Sequence, residues 1–190
     1  MATAAPMTVA QLALLPEPLD GTRYEVIEGE LEVTTQPSWQ HQVTCTRVGR
    51  YLDEWSEQTS SGLTMVAPGV IFSEISAVAP DVVWVSRERL QNVLEDDGRL
   101  YAAPDLVVEV LSPGATNERR DRETKLTLYS QQGVREYWLI DWQRRSVAVY
   151  RREQAVLRLM ATLYETDLLE TPLLPGFTCP VSQLFSNLPG

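Results

Sequence analysis

Two cysteines, a single histidine and no long apolar run set the first limits on this 190-residue chain. Cys45 and Cys179 show no metal-ligand spacing, and His41 alone cannot complete a Cys/His zinc set. Reduced thiols in a cytoplasm are therefore expected. No stretch approaches the roughly 20 apolar residues that a membrane-spanning helix needs. Met1 to Met7 is small and uncharged, with no basic segment leading into an apolar one, so no signal peptide is expected. Basic residues are also in deficit. The 16 Lys and Arg against 26 Asp and Glu leave a net charge of −10, which argues against a general nucleic-acid binder, because phosphate contacts need cations.

What is present is ordinary in amount and uneven in placement. Hydrophobic content of 44% and charged content of 22% fit one soluble domain over residues 1–190, with a core over about 8–180. Residues 111–160 carry ten basic and six acidic side chains, a local excess of +4 that leaves −14 for the rest. This stretch is either a salt-bridged surface or a phosphate-facing one, with Arg122 a candidate substrate contact.

The pattern predicts an α/β fold with a mixed sheet flanked by helices. Thr8 caps a short helix running to Pro16, and Tyr24 to Val33 reads as an N-terminal β-hairpin turning at Glu28-Gly29. Ser38 caps a longer helix with Val43, Val48, Tyr51, Leu52 and Trp55 at helical spacing. Strands follow around 63–67 and 69–73, joined at Pro68-Gly69, then at 80–85, 106–111 and 137–141. Thr116 or Asn117 opens a helix that Gly133 closes. Ser146–Arg152 and Val156–Met160 form a last hairpin, and the Pro- and Leu-rich tail wraps back over the core.

Two acids interrupt this apolar pattern. Asp81 opens the strand Pro80-Asp81-Val82-Val83-Trp84-Val85, and Glu109 sits inside Leu106-Val107-Val108-Glu109-Val110-Leu111. Alternation places Glu109 with Asp105, Val107 and Leu111, away from the face that Leu106, Val108 and Val110 turn to the main core. A carboxylate in a buried strand is costly without a cation or metal partner. Two adjacent ones need a proton or a divalent cation between them. Mg²⁺ or Mn²⁺ suits oxygen ligands of this kind, and Lys125, on the following helix, supplies a positive charge. Together they form the minimal set for metal-assisted phosphodiester hydrolysis.

These residues, in this order, resemble the PD-(D/E)XK nuclease superfamily. More narrowly, the chain is similar to the putative restriction endonuclease family abundant in cyanobacteria, long filed as a domain of unknown function. The matching stretches are Tyr24 to Leu31, Pro37-Ser38 with His41, Pro80 to Val83, Pro104 to Pro113, and Asp121 through Lys125 and Tyr129 to Trp138. The resemblance implies a restriction-endonuclease-like sheet core, Asp81 and Glu109 as ligands of Mg²⁺ or Mn²⁺, DNA as substrate and catalysis involving Lys125. It also implies an acidic residue at Glu28, with Glu25 as substitute, as a further catalytic or ligand group. His41, in the first turn of its helix, is a candidate substrate contact. The superfamily lysine stands two residues after the second acid, where this chain has Leu111. Lys125 is expected to reach the same place from the helix, as in variant members of the superfamily. Cutting both strands of a duplex with one site per chain makes a homodimer the expected assembly. The rival reading is a nuclease-like binding or assembly module that no longer cuts; a two-carboxylate glycosidase is a distant third.

Overall fold

The computed structural model describes residues 5–16 and 18–188. The leader-free reading of Met1 to Met7 lies partly outside them. Thr8 caps α1 (Val9–Leu12) through a reciprocal pair with Gln11, and the helix ends well before Pro16. The hairpin follows as β1 (Arg23–Ile27) and β2 (Glu30–Thr34). Its turn holds Glu28 and Gly29 both at positive φ, 52° and 82°, the pairing a tight hairpin requires. Gly29 has a second constraint: a Cβ there would collide with the Pro6 side chain.

Ser38 accepts from the His41 backbone N–H and starts α2 (Trp39–Thr59), which ends at Ser60 in the left-handed conformation. Then come β3 (Gly62–Val66), β4 (Val70–Ser73), β5 (Ser76–Val78), β6 (Val82–Ser86), α3 (Arg87–Val93) and β7 (Leu106–Val110). The helix expected to open at Thr116 or Asn117 starts earlier, as α4 (Ala115–Arg119) behind Gly114, with no side-chain cap. It widens into a π-helical turn over Arg120–Lys125 and resumes as α5 (Leu126–Gln132), closed by Gly133 at φ 89°. The chain ends with β8 (Glu136–Asp141), β9 (Ser146–Glu153), β10 (Val156–Tyr164), β11 (Leu168–Leu169), β12 (Cys179–Pro180) and α6 (Val181–Leu184).

Six strands form a mixed sheet in the order β10-β9-β8-β7-β6-β3, with only β7 and β8 parallel. Four more form a separate antiparallel sheet, β2-β1-β5-β4. The strands flanking Pro68-Gly69 thus belong to different sheets, and that loop carries the chain from one to the other.

The large sheet is covered on both faces. One core packs Val82, Trp84, Leu106, Val108 and Trp138 against Cys45, Val48 and Leu52 of α2 and against the tail residues Phe177, Val181 and Phe185. The other packs Val83, Val107, Leu111, Tyr137 and Leu139 against Leu128 and Tyr129 of α5 and Ile27, Val70 and Val78 of the small sheet. Strand β7 is therefore apolar on both sides, as strands buried on both faces are. The face expected to leave the core carries a second core instead, and Glu109 is enclosed within it at 3% exposure. Among the described residues, no helix is long and apolar enough to cross a membrane.

Candidate active site

The site lies where the small sheet meets the large one. In the antiparallel register, Val82 pairs with Val108, so extending it by one residue sets Asp81 opposite Glu109 on the same face. Strand β1 brings Arg23 and Glu25, two residues apart and hence on one side. The π turn spaces Arg120 and Lys125 five residues apart along one wide helical turn and buries both together with Asp121. Helix α2 supplies His41. These groups line one small cavity with Thr34, Pro37 and Ser112, and its free volume is about 30 Å³.

Lys125 is the centre of the charge arrangement and the chain's single lysine. Its Nζ donates to Glu109 Oε1 at 3.0 Å and to Glu25 Oε1 at 3.1 Å. Tyr129 Oη donates to Glu109 Oε1 at 2.6 Å, so Tyr129 orients this carboxylate as well as packing. Glu25 Oε1 also accepts from the Ala79 backbone N–H at 2.7 Å. Asp81 Oδ2 accepts from the Val110 backbone N–H at 2.8 Å and faces His41 Nε2 at 3.1 Å. The other Asp81 oxygen, Oδ1, meets only the guanidinium of Arg23 among the described residues, at 3.5 Å. Arg120 grips Asp121 through Nε and Nη2 and reaches Thr34 Oγ1 with Nη1.

Burial and neighbouring charge push these groups apart in acidity. Desolvation, reinforced by the charges of Asp81, Asp121 and Glu25, raises the Glu109 carboxyl to about 8 against the opposing pull of Lys125. Burial acts the same way on Asp81, but His41, the Val110 N–H and Lys125 outweigh it and hold this acid below the ordinary range. Burial alone would discharge Lys125; Glu109, Glu25 and Asp121 keep it firmly charged. Two carboxylates side by side with opposite shifts are a common sign of a working site.

The expected residues separate on this geometry. Asp81, Glu109, Lys125 and His41 come together. Glu28 does not: its turn conformation leaves it exposed at the hairpin tip, beyond the strand that points Glu25 inward. Glu25 is the acid that faces Lys125, so the weaker substitute takes the position assigned to Glu28. Arg122 is also elsewhere, held by Asp141 at 3.3 Å and Glu118 at 3.6 Å outside the cavity. His41 is turned onto Asp81 rather than toward open space. Arg23 and Arg120 escaped the sequence reading, and Asp121 entered it only as the start of a matching stretch. The alternation Arg23-x-Glu25 along the first strand was the available signal for one of them.

His41 also approaches Cys45, Nδ1 to Sγ at 3.4 Å, one helical turn along. With the proton on Nε2, the imidazole donates to Asp81 and accepts from the thiol. The three groups offer ligand atoms within 4.8 Å of one another. Cys45 and Asp81, however, occupy opposite nitrogens of one ring, so a single ion could not take all three without turning the imidazole. Burial and the charges of Asp81 and Glu109 moreover raise the Cys45 thiol. The set reads as a brace for Asp81. The oxygens that could hold a metal are Asp81 Oδ1, Glu109 Oε2 and Glu25 Oε2; among the described residues, the two Oε2 atoms have no hydrogen-bond partner. This all-oxygen donor set fits a small hard cation, and the cavity is large enough for one with a water.

A family profile described as "Uma2: Putative restriction endonuclease" matches residues 9–182. The chain belongs to that family. Its structure is similar to the crystal structure of a putative nuclease belonging to DUF820 from Anabaena variabilis ATCC 29413, with a TM-score of 0.74 at 21% identity. That match covers 95% of this chain and 98% of the other and supports the nuclease-like mixed α/β fold. A second likeness, to the type IIG restriction endonuclease BpuSI, has a TM-score of 0.43 at 13% identity. It covers 78% of this chain and 16% of the larger enzyme and carries no argument. No curated protein matches.

Proposed function

We propose that this family member is a metal-dependent endonuclease that hydrolyses phosphodiester bonds in DNA. The observation that carries the reading is the convergence of Glu25, Asp81 and Glu109 on one cavity with Lys125 Nζ at 3.0–3.1 Å from two of them. Asp81, Glu109 and Glu25 would hold Mg²⁺ or Mn²⁺. When bound, such an ion supplies an activated water and charge neutralisation at the phosphate. The chain's own residues do the rest. Tyr129 fixes Glu109, and His41 and the Val110 N–H fix Asp81. Lys125 stays charged and desolvated beside the reacting centre, where it favours developing negative charge. Two copies acting together would cut both strands of a duplex.

One observation favours a second reading, a nuclease-like module that binds or assembles without cutting. Leu111 stands at the superfamily lysine position and is packed into apolar core at 4% exposure. Thermal melts with and without Mg²⁺ or Mn²⁺, paired with plasmid cleavage, separate the two. An ion that binds only the folded state must raise its melting temperature. A metal-induced rise in wild type that disappears in Glu109→Ala, with cleavage lost in Asp81→Ala and Glu109→Ala, supports the nuclease. Full cleavage by either variant sinks it, and no metal response in wild type leaves the binding module.

A further inference from the structure

We propose that Arg23 is a phosphate-binding residue that a divalent cation frees from Asp81. The proposal rests on the metal-dependent reading above and assigns the substrate contact within the same site. Three cations line the cavity. Two of them are buried and committed, Lys125 to Glu25 and Glu109, and Arg120 to Asp121 and Thr34. Arg23 differs on both counts. Its side chain is 33% exposed, and among the described residues its one ion pair is the loose 3.5 Å contact to Asp81 Oδ1.

That oxygen is the one a metal would need. Asp81 spends Oδ2 on Val110 and His41, so Oδ1 is its remaining ligand position. Arg23 holds it in the absence of metal. A divalent ion bound there would repel a guanidinium at this distance and displace it. The displaced group stays at the cavity mouth, tethered at the first residue of β1 on the same face as Glu25.

Size and charge give the freed guanidinium its task. A cavity of about 30 Å³ admits an ion and a water but not a nucleotide, so a phosphodiester must dock at the mouth. There Arg23 presents a planar fork suited to two phosphate oxygens.

The test uses the full chain and Ca²⁺, a hard oxygen-seeking ion. Calorimetric titration with Ca²⁺ and fluorescence anisotropy of a labelled duplex oligonucleotide, with and without Ca²⁺, are run on wild type, Arg23→Gln and Arg23→Lys. Arg23→Gln is expected to take up Ca²⁺ severalfold more tightly than wild type and to lose the Ca²⁺-dependent gain in oligonucleotide affinity. A merely structural arginine would weaken ion uptake, the opposite sign. Unchanged or weaker Ca²⁺ uptake, or wild-type oligonucleotide affinity in the loaded variant, overturns the proposal. If Arg23→Gln melts well below wild type, Arg23→Lys decides: near-normal Ca²⁺ uptake with a reduced oligonucleotide gain supports the role, and an undiminished gain overturns it. Wild type that takes up neither Ca²⁺, Mg²⁺ nor Mn²⁺ refutes the metal reading itself, and the proposal with it.

Discussion

Replacing Lys125 with methionine tests the buried charge cluster most directly. Methionine keeps the length and apolar stem of the side chain and removes only the ammonium. Lys125 is 3% exposed, and its two partners, Glu25 and Glu109, are buried at 4% and 3%. Truncating one side of a buried ion pair costs about 3–5 kcal/mol, because the abandoned charge stays desolvated. Two carboxylates are abandoned here, but Glu109 can take up a proton and keeps the Tyr129 hydrogen bond, so a figure inside that range is expected rather than a doubled one. For a domain of this size each kcal/mol moves the melting temperature by about 2–4 °C, giving a fall of about 6–20 °C. Metal-free melts in chelator, at pH 6 and pH 9, provide the measurement. The fall should be larger at pH 9, where protonating Glu109 is harder. The exposed pair Arg158–Glu153, 65% and 51% accessible, is the control, and Arg158→Met should change stability by no more than about 0.5 kcal/mol. A Lys125→Met fall no larger than that control would refute the claim that Lys125 neutralises buried carboxylates.

Three further outcomes are expected. The Glu109 carboxyl rises from 4.5 to about 8 on folding, so between these values the native state holds more protons than the unfolded one and metal-free stability must fall as pH rises. Glu109→Gln should flatten that slope, by on the order of a few kcal/mol across the window, in denaturant titrations at stepped pH. Glu28→Ala should leave a Mg²⁺-induced thermal shift intact while Glu25→Gln reduces it, and the reverse result would return the role to the hairpin tip. An amine-reactive reagent should leave Lys125 unlabelled in the native protein, with the lysine adduct appearing in peptide mass spectra only after denaturation.

Much of this arrangement was legible because it rests on local chemistry. The positive-φ pair at Glu28-Gly29, the caps at Thr8 and Ser38 and the closing Gly133 are set by neighbours within a few residues, and each was found where expected. The oddity of Asp81 and Glu109 among valines was also visible, because a charge in an apolar strand stands out without knowing its partners. The start of the Lys125 helix was less legible, since it has no side-chain cap and its π turn leaves no simple periodic mark.

The sequence by itself therefore determined the local turns and caps, the two strand carboxylates and the lysine that follows them. Tertiary structure alone decided which acid completes the set. Side-chain alternation could say that Arg23 and Glu25 share a face, but only the packing of the small sheet on the large one could say that this face meets Lys125. Glu28 is three residues from Glu25 but sits in the turn itself, at the exposed hairpin tip. Burial of the second face of β7 was likewise a property of what packs there. That burial is what raises Glu109, keeps Arg120 and Lys125 committed, and leaves Arg23 as the cation at the mouth.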